Sequence, residues 1–558
     1  MRSICASTKT NILLRWRILA RNIKTLPATR NFGEEERVII SCTKKLTELG
    51  KAGELNKALK LFEEMPQRNQ VSWNAMLTVL IQSNQLDKAR RLFYQEMPHC
   101  NSRSYTLMIT GLSRFGFVDE ARKLFDSVPI QETNVVLWTA MLSCYTHNQK
   151  PLVGLKLFVS SYGHFFELLV IPNAHTLTVV LKACLDVWSL VTAMQIHGLA
   201  IKILDGESKD SVFVQNSLID LHAKLGDLGD AEKIFNGIKW KDLSSWNIVM
   251  DAYTRHMLID KAHGMFKAMG EKDTLSYNIM ISGFAESGFG VDALEMFLHL
   301  LKLQSYVKVK PNSSTYTIVL SICATFTMLR FGVQIHASLF KCGILPGNIY
   351  IDNSLISMYA RCGCIEETEQ LFSDMPKRDV VSWNTLIVAL GQNGCARKAL
   401  EVAEQVLKLG FYNGNTFIGL LTSCSHGGLV EKGMEYLRSM SSEYGIQPSI
   451  DHYNCVIDML GRAGRIAEAY DLLRKMPLAP NDVTWAAILS ASVVHSNKEI
   501  GEIAARELQV LDPFNAANYM MLAKIYGCTG QTKKLWQTLG LMSKIGSKKG
   551  RGCSWILE

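Results

Sequence analysis

The chain has 558 residues, 48% of them hydrophobic and 20% charged, with 13 prolines; a disordered or collagen-like polymer is excluded, and the length suits about three to five ordinary domains or one long repeat array. No run of 18 or more apolar residues occurs, the best stretches being cut by Lys182 or Arg330, so a membrane-spanning helix is not expected. Sixty Lys and Arg against 51 Asp and Glu give a net charge of +9, which taken alone points to an anionic partner.

The charge is concentrated at the N-terminus. Residues 1–33 hold seven basic residues (Arg2, Lys9, Arg15, Arg17, Arg21, Lys24 and Arg30) and no acid, leaving 53 basic against 51 acidic residues, or +2, for the remainder. An Arg-rich stretch with Ser and Thr, an apolar patch at Ile12 to Leu14 and a first acid at Glu34 reads as an organelle transit peptide, mitochondrial by style with the chloroplast as the alternative. A flexible basic arm touching nucleic acid is the competing reading. Residues 1–38 are expected to comprise this leader and a disordered lead-in.

From Ile39 onward one pattern recurs, an aromatic residue followed by Asn or Thr: Trp73-Asn74, Tyr105-Thr106, Trp138-Thr139, Trp246-Asn247, Tyr277-Asn278, Tyr316-Thr317, Trp383-Asn384 and Tyr453-Asn454. Between them come a Gly-containing turn (Gly116, Gly288, Gly363, Gly394, Gly464) and an apolar helix that often ends in Met-Pro, as at Met65, Met97, Met375 and Met476. Trp73, Met76, Leu77 and Leu80 share one helical face, and Leu86, Ala89, Phe93 and Met97 form a second stripe that Pro98 stops. One hairpin cannot bury both stripes but stacked hairpins can, so the chain is expected to be all-α, an α-solenoid. Asn74 is rotated by about 100° from Trp73 and is expected to be free for a ligand.

Counting from two residues before the Ser, Thr or equivalent that precedes each aromatic gives thirteen units over 39–481, of 31–39 residues, followed by two degenerate units over 482–549 and a tail at 550–558. The longer units end at Asn173, Ser211, Asn312, Asn348, Gly414 and Ser449. The fourteen cysteines are spread along the chain, several inside apolar helical patterns, such as Cys184, Cys323 and Cys424, and read as buried free thiols. Cys362 and Cys364 lack a second ligand pair at suitable spacing, so neither a metal nor another cofactor is expected.

VVSWNTLIVALGQNG at 380, NSLISMYARCG at 353, LTSCSHGGLVEKG at 421 and HYNCVIDMLGRAGRIAEAYDLLRKMP at 452 resemble plant pentatricopeptide repeat proteins of the mixed-length class. DVTWAAILSA, ANYMMLAKIYG and the final GCSWILE resemble that class's C-terminal extension motifs. A tetratricopeptide array shares the hairpin logic but keeps a constant period near 34 and a different Trp, Leu, Gly, Tyr pattern. The resemblance implies a right-handed superhelix that binds single-stranded organelle RNA, one base per repeat.

In the family the informative positions are the fifth and last residues of each unit. The fifth is Asn or Thr in twelve of the thirteen units, Gly419 being the exception, and the last is Asn or Asp in ten. A last residue of this type also caps the next helix regardless of any ligand, but capping does not explain Asn and Thr inside a helix, where their propensity is poor. The resemblance assigns adenine to Thr43/Asn69, Thr106/Asn134 and Thr139/Asn173, and uracil to Asn216/Asp242, Asn247/Asp273 and Asn353/Asp379. It assigns a pyrimidine to Asn74/Asn101, Asn278/Asn312, Asn384 with its unit's last residue, and Asn454/Asn481, with cytosine favoured in the first. Units carrying Thr178/Ser211, Thr317/Asn348 and Gly419/Ser449 are of the kind with weak preference. It also places an apolar second residue between bases: Ile40, Val71, Val136, Phe213, Leu275, Tyr350 and Val381 suit this, whereas Arg103, Ser244, Ser314 and Asp451 do not.

Zinc deaminases need an HxE and a PCxxC arrangement, and neither occurs; phosphate-loop, dinucleotide and HExxH motifs are absent as well. His197 and His336, in recurring QIH segments, are expected to be structural. The resemblance therefore implies a non-catalytic factor for C-to-U editing of organelle transcripts, its 482–558 region recruiting a deaminase acting in trans. A splicing, stability or translation factor is the alternative, and a peptide-binding scaffold a remote one. No membrane or small-molecule partner is expected.

Overall fold

The computed structural model describes residues 34–65, 67–167, 171–203, 209–303, 309–341, 343–345, 347–513 and 515–544. The expected leader over 1–33 and the tail at 550–558 lie outside the described residues. Among the described residues all regular structure is helical, and thirty α-helices follow one another as fifteen pairs, from Glu34–Lys51 with Leu55–Glu64 to Ala516–Cys528 with Thr532–Lys544. None is long and apolar enough to cross a membrane. One boundary is corrected: residues 34–38, assigned to the lead-in, belong to the first helix. The sequence there is Glu-Glu-Glu, a residue type favoured in the first turn by the helix dipole.

The chain forms two compact units, 1–252 and 253–558, and each is an α-solenoid. Consecutive first helices pack side by side, as Val380–Gln392 does on Gly414–Gly427, and each second helix closes onto the first helices beside it. Trp73, Met76, Leu77 and Leu80 are buried, as are Leu86, Ala89, Phe93 and Met97 on the partner helix. That second helix differs in one respect, because its end, Leu92–Glu96, widens into a π turn. Met65, Met97, Met375 and Met476 leave their helices in extended backbone with their side chains buried, so each chain exit is anchored by an apolar contact.

The recurring aromatic is explained by its partner. Phe62 meets Trp73 edge to face at 5.0 Å between centroids, Phe125 meets Trp138 at 4.8 Å, Phe266 meets Tyr277 at 5.0 Å and Phe372 meets Trp383 at 4.7 Å. In each case a Phe near the end of one repeat's second helix locks onto the fourth residue of the next repeat, in a geometry worth about 0.5–1.5 kcal/mol beyond area burial. Cys184, Cys323 and Cys424 are buried free thiols, and burial pushes them up to about 11, 12 and 11 respectively. His336 Nδ1 lies 3.0 Å from the Tyr359 hydroxyl and His197 stacks edge-on to His222, so both histidines sit in inter-repeat packing.

Candidate nucleic-acid interface

The last residue of a unit sits immediately before the next first helix, where four backbone N–H groups lack intrahelical partners. Asn69 accepts from Ser72 N at 2.9 Å, Asn101 from Ser104 N at 3.0 Å, and Asn134 from both Val136 N and Leu137 N at 3.0 Å. Asn173, Asp242, Asp273, Asn312, Asn348, Asp379 and Asn481 make the same bond to the third helical residue or its equivalent. The cap occupies Oδ1 and leaves the other end of each side chain, an amide NH2 or a second carboxylate oxygen, outside the helix. Asn69, Asn173, Asp242, Asn312 and Asp379 are exposed, and Asn101, Asn134, Asp273 and Asn481 are half-buried. Ser211 differs, lying inside the helix Lys209–Leu225 instead of ahead of it.

The fifth residues are less open than expected. Asn74 is 4% exposed, and Thr139, Asn216, Asn247, Asn278 and Asn454 are buried likewise; Thr43, Thr106, Asn353 and Asn384 are half-buried. The expectation that Asn74 stands free is therefore corrected. The rotation away from Trp73 turns it toward the following repeat, where Ser104 Oγ donates to Asn74 Oδ1 at 2.7 Å and Asn74 Nδ2 donates to Asn101 Oδ1 at 3.3 Å. Asn216 likewise donates to Asp242 Oδ1 at 3.1 Å. Thr43 Oγ1 is buried without a partner, but the other fifth-position threonines donate to their own helix, as Thr106 does to Ser102 O at 2.8 Å and Thr139 to Val135 O at 2.7 Å. A threonine spent this way offers only lone pairs to anything else. Fifth-residue Asn74 and Asn216 thus orient the last residues Asn101 and Asp242, and the last residue carries most of the accessible polar edge.

Unit eleven requires a change of register. Asn413, not Gly414, caps the helix Gly414–Gly427 and accepts from Thr416 N at 3.2 Å, while Asn384 Nδ2 donates to Asn413 Oδ1 at 3.2 Å. The fifth residue of the next unit is then Ile418 and not Gly419. The signal was present in the sequence as an Asn three residues ahead of a Thr-aromatic pair, the spacing of a capping box. Asn384, Asn415 and Ile418 line one open cleft of about 290 Å³ together with Ser357, Arg361 and Val388. Fifth and second residues of consecutive repeats therefore face a common space.

The second residues are the exposed ones. Residues two and five of a first helix are i and i+3, neighbours on one face. Val71 is 64% exposed, Tyr350 73% and Val381 55%, and Ile40, Val136, Phe213, Leu275 and, in the extension, Val483 are exposed as well. Large apolar side chains held in solvent at one repeated position have no role in the core. Arg103, Ser244, Ser314 and Asp451 occupy the same position and are also exposed.

Basic residues next to the caps are spent internally. Arg68 donates to Phe62 O and Glu63 O and lies over the Phe62 ring, and Arg378 does the same with Phe372 O, Ser373 O and the Phe372 ring. Lys241 and Lys272 reach Ile238 O and Met269 O. These cations satisfy helix C-termini, so they are not spare charge for phosphates. Burial disfavours ionisation of Asp242 and Asp379, yet the hydrogen bonds from Ser245 and Asn216, and from Ser382 and Asn353, outweigh it and hold both carboxyls below their ordinary range. Among the described residues no cluster of metal-ligating side chains occurs.

Comparison with known proteins bears on this arrangement. A family model described as PPR repeat matches eight segments between residues 46 and 411, a second of the same description matches 444–477, and one described as E motif matches 495–557. The chain belongs to the pentatricopeptide repeat proteins. It is 31% identical over 523 residues to a pentatricopeptide repeat-containing protein of Arabidopsis thaliana, an alignment covering 92% of this chain and 65% of the relative. It is 34% identical to a chloroplastic one, over 76% of this chain and 44% of the relative, and 33% identical to a mitochondrial one, over 77% and 61%, both also from Arabidopsis thaliana. The chain thus spans less than two thirds of the length of these curated relatives. The crystal structure of the pentatricopeptide repeat protein PPR10 from maize superposes with a TM-score of 0.51 at 19% identity, over 95% of this chain and 77% of that one, a likeness of fold.

Proposed function

We propose that this pentatricopeptide repeat chain is a sequence-specific single-stranded RNA-binding protein that marks cytidines of organelle transcripts for C-to-U editing, with the deaminase supplied in trans. The observation that carries RNA binding is the repeated juxtaposition of an exposed apolar second residue with a fifth-and-last polar pair on the same helix face, as in Val71 with Asn74 and Asn101, or Val381 with Asn384 and Asn413. An apolar side chain in solvent offers a stacking surface for a base, and the neighbouring amide or carboxylate offers a hydrogen-bonding edge to the same base.

The chemistry of each pair supports the base assignments. Where Asp242 or Asp379 is last, an ionised carboxylate keeps one oxygen beyond the cap and can only accept, which suits the ring N–H of uracil. Where a Thr is fifth and an Asn last, an acceptor stands beside a donor, which suits the exocyclic N–H and ring nitrogen of adenine. The region that matches the E motif favours editing over splicing or transcript stability, and it is where a deaminase or other editing proteins would dock. The mitochondrion is our first assignment and the chloroplast the second; curated relatives carry both descriptions. Two measurements test this. Purified protein should prefer an RNA carrying A and U at the positions assigned above to one with those bases exchanged, and equal affinity would remove the code. Organelle RNA from plants lacking the protein should lose one or a few C-to-U conversions; unchanged conversion with retained introns would favour a splicing role.

A further inference from the structure

Four units carry the same two residues, Asn fifth and Asn last, yet their hydrogen bonding divides them. In three, a hydroxyl at the third position of the following repeat reaches the fifth-residue amide oxygen: Ser104 to Asn74 at 2.7 Å, Thr315 to Asn278 at 2.8 Å and Thr484 to Asn454 at 2.7 Å. In the fourth, Thr416 bonds only to the cap, reaching Asn413 Oδ1 at 3.3 Å, and the Oδ1 of Asn384 has no partner.

The direction of these bonds follows from the capping box. Asn101 N, Asn312 N and Asn481 N each donate to the third-residue hydroxyl at 3.3, 3.1 and 3.2 Å. A hydroxyl that accepts from the backbone has a single proton to give, and here it is shared between the fifth-residue oxygen and the last-residue Oδ1, which lies 3.0, 3.0 and 2.7 Å away in the three units; facing a donor, the fifth-residue amide turns its oxygen toward it. The last-residue amide is fixed independently, because its oxygen accepts the backbone N–H of the third residue at 3.0, 2.9 and 2.9 Å. In these three units both amide oxygens are occupied by protein, and only amide N–H remains for a ligand. Around Asn384 the last residue still offers N–H, and the buried amide oxygen of Asn384 has no hydroxyl holding it.

We propose that the third-position hydroxyl of the following repeat (Ser104, Thr315, Thr484) is a specificity-determining positioning residue, which makes the preceding Asn/Asn pair a donor-only edge selective for cytosine over uracil. Cytosine presents adjacent acceptors, N3 and O2, to such an edge. Uracil presents an N3–H that meets it donor to donor and leaves a desolvated group unpaired. The Asn384 amide, held by no third-position hydroxyl, can turn either edge outward and accommodates either pyrimidine. Two identical residue pairs thus differ in selectivity because of a third side chain that belongs to the next repeat.

This inference rests on the RNA-binding reading, and the test separates the two. The full chain is titrated with RNAs carrying C or U at the nucleotide facing Asn454/Asn481, and separately at the one facing Asn384/Asn413. The wild type should favour C at the first on the order of tenfold and at the second by about twofold or less. Thr484→Val removes the hydroxyl at constant shape and should bring the first ratio down to that of the second. Thr484→Ser should preserve it, and discrimination at nucleotides facing the other units should not change. Ser104→Ala repeats the experiment at the Asn74/Asn101 unit, so that a folding defect at one site does not decide the outcome. A wild type without affinity for any RNA overturns the proposed function. A wild type that binds and prefers C, with the ratio unmoved in both Thr484→Val and Ser104→Ala, overturns this inference alone.

Discussion

Asn216 donates its amide N–H to Asp242 Oδ1 at 3.1 Å, joining the fifth and last residues of one repeat across its whole hairpin. The same Asp242 oxygen accepts Ser245 N and Ser245 Oγ at 2.8 Å each, so one carboxylate oxygen is saturated and the other is the unit's outward acceptor. Asp242→Asn keeps the cap, since Asn caps as well as Asp, but replaces that acceptor with a donor. Thermal stability should change little, while preference at the facing nucleotide should move from uracil toward cytosine on the order of tenfold, the size of one good base contact. Competition between RNAs differing at that base reads it, and unchanged preference would remove Asp242 from base recognition.

Tyr350 makes a separate prediction because it is 73% exposed and contributes little to the core. Tyr350→Ala should leave the melting transition in place and weaken binding of the matched RNA by about 1–3 kcal/mol, the range for one base stacked on an aromatic ring. Loss of stability without loss of affinity would assign the ring to packing instead.

The hairpin stack was legible in the sequence because its signals are local and repeated. The stripes of Trp73, Met76, Leu77 and Leu80, and of Leu86, Ala89, Phe93 and Met97, depend only on helical periodicity and burial. The inter-repeat bonds were not legible. Asn74 looks like a surface residue when its helix is considered alone; Ser104, 30 residues later, buries it. The Arg378 clamp on Phe372 O and the Phe372 ring escaped notice for a similar reason, since a lone basic residue before a cap has no sequence pattern that distinguishes it from a solvated charge. Residue spacing alone ends unit eleven at Gly414, whereas the Asn413-to-Thr416 capping box fixes the register physically.

Two backbone positions should respond in opposite directions. Met257 occupies a turn at φ 58°, where equivalent turns use glycine, such as Gly116 and Gly394 at φ 80°. Met257→Gly should stabilise the chain by about 1 kcal/mol through relief of left-handed strain at an exposed side chain. Gly391, buried near the C-terminal end of the helix Val380–Gln392, is where an added Cβ would fall 2.2 Å from Ser423 Oγ and 3.0 Å from Ser423 Cα. Ser423 Oγ can turn aside but its Cβ, 2.9 Å away, and its Cα cannot, so Gly391→Ala forces the helices Val380–Gln392 and Gly414–Gly427 apart and should cost about 1–3 kcal/mol. Urea unfolding with a constant slope measures both; a neutral Gly391→Ala would mean that the two helices can separate freely.

Acid should loosen the repeats that bury histidine. Burial lowers the affinity of His197, His222 and His336 for protons, with His222 adding charge repulsion at His197 and Asp230 partly opposing the effect at His222. Each folded value lies below the ordinary one of about 6.5, so on acidification the unfolded chain takes up protons before the folded chain does. The stability these neutral rings contribute is complete above that ordinary value and is lost as pH falls through the folded values. Melting temperature should therefore decline as pH falls below about 6.5. His336→Gln offers the Tyr359 hydroxyl a neutral polar partner that does not titrate in this range, in place of the ring nitrogen 3.0 Å away. The decline should be shallower in that variant, and an identical decline would show that His336 is not among the groups responsible.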